Sequence, residues 1–101
     1  MNLSIVCELG PDALRARREE LLVGLAARAT KQEETADGYA FTFEPSSDTL
    51  KLLTAAIDAE RQCCRWLRFA MTVEPDDGPI TLTLSGPDGS REFLSALFAS
   101  H

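Results

Sequence analysis

Apolar and polar residues alternate in several short runs, separated by two longer stretches with helical spacing. Leu3, Ile5, Cys7 and Leu9 alternate with polar neighbours and Val6, the period-two signature of a half-buried strand. Gly10-Pro11-Asp12 ends that run, and Pro11 suits the first position of a helix. From there to about Ala29, Leu14, Leu21, Leu22, Leu25 and Ala29 recur on one helical face. A polar segment around Gln32 to Thr35 reads as a short edge strand, and Asp37-Gly38 as a turn.

Tyr39, Phe41 and Phe43 alternate with Ala40 and Thr42, which predicts a strand. Pro45-Ser46-Ser47-Asp48 supplies a helix N-cap, and helical spacing then continues to about Leu67. Phe69, Met71 and Val73 form a further alternating strand, broken by Pro75-Asp76-Asp77-Gly78-Pro79. Its hairpin partner carries Ile80, Leu82 and Leu84 on one face and Thr81, Thr83 and Ser85 on the other. Gly86-Pro87-Asp88-Gly89 turns into a short helix using Phe93, Leu94, Leu97 and Phe98.

The expected fold is therefore a single α+β domain over residues 1–101, with element order β-α-β-β-α-β-β-α. One mostly antiparallel sheet with helices on one face and a threonine-rich outer face buries these stripes most simply. The first six elements match the ferredoxin-like split βαβ order, and other strand orders are compatible with the same elements.

Two charges interrupt the apolar stripes. On a wheel of about 100° per residue, Arg18 falls within the arc of Leu14, Leu21, Leu25 and Ala29. Glu60 falls within the arc of Leu50, Leu53, Ile57, Cys64 and Leu67, one turn before Cys64. Cys63 sits at the edge of that arc and Trp66 points away from it. A buried charge is costly unless paired, so an Arg18–Glu60 ion pair is expected, with Cys64 adjacent and Cys7 or Cys63 within reach. An ordinary core with a structural ion pair and thiols serving as small apolar groups accounts for the same pattern.

The chemistry open to such a cluster is that of thiols. Two or three thiolates from Cys7, Cys63 and Cys64 suit a soft cation such as Hg(II), Cu(I) or As(III). Structural zinc usually takes four ligands, and the single histidine is the terminal His101. Adjacent Cys63 and Cys64 project about 100° apart on a helix and chelate poorly by themselves. A thiol-dependent redox enzyme using Cys64, with Arg18 and Glu60 assisting, is the alternative reading. A third is a non-catalytic interaction domain, dimerising through the threonine-rich sheet face or an exposed edge strand. Trp66, between Arg65 and Arg68, is either an interface anchor or packed against a neighbouring loop.

A net charge of −6 disfavours phosphate backbones and anionic lipid, so neither nucleic acid nor membrane is an expected partner. No apolar run approaches the roughly 20 residues that span a bilayer. The opening residues lack a secretory signal and the cysteine count is odd, which together point to a reducing cytoplasm.

Glu60-Arg61-Gln62-Cys63-Cys64, followed by Phe69 and by Gly78-Pro79-Ile80-Thr81-Leu82, resembles a family of small bacterial proteins with an E-R-x-C-C motif. Such proteins occur alone or appended to MerR-type heavy-metal regulators. Cys7 with Glu8-Leu9 and the arginine-rich first helix fit the same pattern, so the resemblance covers most of the chain. The family commonly has proline after the double cysteine, where this chain has Arg65. The resemblance implies a heavy-metal or thiol-stress context, with a heavy-metal regulator as a candidate partner, and it assigns no catalytic residue.

Overall fold

The structure, a computed structural model, describes residues 22–99 except the side chains of Cys63 and Ala99. Helical residues 22–28 (α1) lead into a hairpin of β1 (Lys31–Thr35) and β2 (Gly38–Phe43). Helix α2 (Ser47–Cys63) follows, then the hairpin of β3 (Arg68–Val73) and β4 (Ile80–Ser85), and finally α3 (Ser90–Ala99). The α+β class is as expected, and so is the element order over these residues. The expected first strand lies outside them.

All four strands pair antiparallel in the order β1-β2-β4-β3. β4 thus lies between β2 and β3, which run parallel to each other and are linked through α2 as a split βαβ unit. β2 is flanked by β1 and β4. In a ferredoxin-like order, the place held by β4 would belong to the strand preceding α1.

The alternation read from sequence becomes a one-sided sheet. Tyr39, Phe41 and Phe43 of β2 and Ile80, Leu82 and Leu84 of β4 are buried, while Ala40, Thr42, Thr81 and Thr83 between them are half-buried. The buried face belongs to one core with Leu22 and Leu25 of α1, Leu53 and Ala56 of α2, and Leu94 and Leu97 of α3. Phe98 of α3 meets Tyr39 and Phe41 edge-on, with ring centroids 5.4 and 5.5 Å away. Full burial of side chains of this size is the main favourable term, about 1.5–3 kcal/mol each before the cost of ordering them.

Local chemistry explains where the elements begin and end. Ser46 is the N-cap of α2, its Oγ accepting the Thr49 N–H at 3.0 Å. Gly38 is required because a Cβ there would collide with the backbone carbonyl of Leu84 across the β2–β4 pair. In the β3–β4 turn, Asp76 and Asp77 both take φ of 57°, and the Gly78 N–H bonds the Pro75 carbonyl at 3.1 Å.

The two edges of this sheet differ in kind. β1 is polar on both faces: Lys31 and Glu33 form an exposed ion pair at 2.7 Å, and Tyr39 donates to Glu34 at 3.3 Å. Glu33 holds the Lys31 ammonium above its usual range, by hydrogen bond and then by charge. On the β3 edge, Met71 and Val73 share the face of Leu82 and Ile80, yet they are 38% and 54% exposed. Alternation identifies the face of a strand and carries no information on whether anything covers it.

Candidate functional site

The Glu60-Arg61-Gln62-Cys63-Cys64 run occupies the last turn of α2, where its residues divide by direction. Glu60 and Cys64, four apart, turn into the core and are each 1% exposed. Arg61 and Gln62 face solvent and both engage Asp58: Arg61 Nη2 lies 2.9 Å from Oδ1, and Gln62 Nε2 lies 3.4 Å from the same oxygen. That surface pair contributes little to stability because water screens it.

The inward pair is in contact. The Cys64 thiol donates to Glu60 Oε1 at 3.8 Å, within the range for a sulfur donor. The backbone binds the same two residues, since the Cys64 N–H donates to the Glu60 carbonyl at 2.6 Å. Both residues also make contacts beyond these two. A carboxylate sealed from water is tolerated only where donors converge on it, and the thiol is one of them.

α2 ends earlier than the sequence pattern suggested. Helical spacing extends to Leu67, but the helix stops at Cys63, with Cys64 leaving helical geometry at φ −104° and ψ 80°. The Leu67 N–H then bonds the Cys64 carbonyl at 3.0 Å, closing a tight turn that brings Arg68 into register opposite Ser85. Trp66 therefore does not sit on the outer side of a helix. Half-buried in the turn, it meets Phe93 of α3 edge-on at 5.2 Å, and its ring crowds Gly86. The sequence reading of packing against a neighbouring loop is thus altered, since the partner ring belongs to helix α3.

Of the residues singled out in the sequence, the structure brings together Glu60 and Cys64. Arg18 and Cys7, and with them the expected Arg18–Glu60 pair, lie outside the described residues, as does the side chain of Cys63. Among the described residues, no group of three or more histidine, cysteine or acidic side chains converges as a metal site. Also among them, no helix is long and apolar enough to cross a membrane. Gly86-Pro87-Asp88-Gly89 acts as a helix-entry turn: the Ser90 N–H and hydroxyl both donate to the Pro87 carbonyl, at 3.0 and 2.6 Å.

No family model, curated protein or solved structure matches the chain.

Proposed function

We propose that this chain is a small cytosolic domain that binds a soft, thiophilic metal ion, such as Hg(II), Cu(I) or As(III), through cysteine thiolates. Cys64 is one ligand in this reading, and Cys7 and Cys63 are the candidates for the others. The observation supporting it is the buried contact between the Cys64 thiol and the Glu60 carboxylate.

A thiol must lose its proton to ligate a metal, and binding is therefore linked to proton release. Glu60 lies where it can take the Cys64 proton. Two thiols, one carboxylate and Hg(II) then give a neutral dithiolate complex, a neutral carboxylic acid and one proton released to solvent. The ion would enter where α2 ends and the chain leaves helical geometry at Cys64. The likeness of Glu60 to Cys64 to the E-R-x-C-C pattern supports the heavy-metal context and a heavy-metal regulator as the partner.

Native mass spectrometry of the reduced chain with Hg(II) or Cu(I) tests the reading. One bound ion per chain is expected for the wild type, with loss of that ion in Cys64→Ser. Unchanged stoichiometry and affinity in Cys64→Ser would remove Cys64 from the site.

A further inference from the structure

Among the described residues, the sheet ends in one charged edge strand, β1, and one with no strand paired on its outer side, β3. β1 carries Lys31, Gln32, Glu33 and Glu34 in succession, so a second strand adding there would have to bury charge. β3 has neither proline nor any charge between Phe69 and Val73. These are the features by which natural edge strands usually prevent pairing with another chain. β3 also exposes Met71 and Val73 on the face that its neighbour β4 buries completely.

We propose that β3 is a self-pairing edge. Two copies of this chain join antiparallel through β3 about a two-fold axis at Met71, merging their four-stranded sheets into one. The register follows from the sequence of the strand. Side chains of one face must meet side chains of the same face, so the axis passes through a residue rather than between two. With the axis at Met71, Phe69 of each copy stands opposite Val73 of the other, and Ala70 opposite Thr72. Arg68 of each copy then stands opposite Glu74 of the other, at both ends of the pair.

Glu74 continues the strand geometry, its N–H reaching the Pro79 carbonyl at 3.4 Å in the β3–β4 register. Arg68 and Glu74 are both exposed, and neither enters an ion pair among the described residues. An axis moved to Ala70 sets Arg68 opposite Thr72, and one moved to Thr72 sets Arg68 opposite Asp76, which has left the strand in the turn at φ 57°. Residues 68–74 sum to zero charge within a chain of net charge −6, so this edge is spared the repulsion that the rest of the surface imposes. Past Val73 lies a groove of mixed character, with Pro45, Leu50 and Ile80 beside Ser46, Glu74 and Asp77.

Sedimentation velocity of the full chain through the micromolar range tests this, with expected conversion from monomer to dimer. Met71→Lys should weaken association at least roughly ten-fold by placing a charge at the centre of the pairing, with unchanged far-ultraviolet circular dichroism. Arg68→Glu and Glu74→Arg should each weaken the dimer by facing like charges across the axis, and an equimolar mixture of the two variants should recover the wild-type affinity as a heterodimer. A monomer at every concentration would overturn the proposal. So would a dimer indifferent to all three substitutions, which would place the contact on another surface such as the threonine-rich face. Slow hydrogen exchange at the outward β3 amides of a strictly monomeric chain would also overturn it, giving the edge to a segment of the same chain.

Discussion

The sulfur of Cys64 lies 3.8 Å from Oε1 of Glu60, the residue one helical turn before it, inside the core of the domain. A weak donor thus meets a strong acceptor where water does not compete. Each group makes the other's burial less costly, and the pair lies at the point where α2 ends.

Glu60→Ala should destabilise the chain by roughly 2–4 kcal/mol, since it opens a cavity and removes the acceptor of the buried thiol. Cys64→Ala should cost about 1–2 kcal/mol for the loss of a small buried group and its hydrogen bond. The double mutant should fall short of the sum by about 0.5–1.5 kcal/mol, measured by urea unfolding as a double-mutant cycle. Strict additivity would mean that the thiol–carboxylate contact contributes nothing to stability.

Two glycines should respond in opposite directions. Gly38→Ala drives a methyl group into the Leu84 carbonyl of the central strand pair, and a loss above about 3 kcal/mol is expected. Gly24→Ala, exposed within α1 and with nothing within 4 Å of its added Cβ, should gain about 0.5–1 kcal/mol from helix propensity. Thermal unfolding of the two variants compares them directly. Equal shifts would contradict the packing described for Gly38.

Glu92, in the first turn of α3, has its carboxyl held below the usual value by its own backbone N–H and then by the Arg91 guanidinium 3.3 Å away. A group with a lowered folded-state pKa contributes stability that is present above its ordinary range and lost as pH falls through the lowered value. Glu92→Gln should therefore be less stable than the wild type at neutral pH, and the gap should close on acidification into that window. Urea midpoints of both proteins across the acidic range measure this. A gap that widens as pH falls would reverse the sign of the shift.

Much of the fold was legible because it rests on period alone. The alternation of Tyr39, Phe41 and Phe43 and of Ile80, Leu82 and Leu84 located the two central strands and their buried faces. Ser46 served as the N-cap of α2 from within the Pro45–Asp48 signal. The inward placement of Glu60 above Cys64 followed from a spacing of four on a helix. Trp66 was harder, because the same wheel presumed a helix running on to Leu67. The turn at Cys64 swings the indole onto Phe93, a residue 27 positions later whose nearness no local pattern contains.

Residue order along the chain did not place the end of α2 at Cys63, but it was enough to specify the apolar face of the two central strands, the start of α2 at its serine cap, and the shared inward face of Glu60 and Cys64. These are properties of neighbours along the chain, set by backbone period and side-chain chemistry. The placement of β4 between β2 and β3, of β1 and β3 at the edges of the described sheet, and the 38% and 54% exposure of Met71 and Val73 came from packing between distant segments. Which strand finds which partner depends on contacts between residues far apart in sequence, where competing pairings bury nearly the same apolar surface and differ only in how the whole core packs.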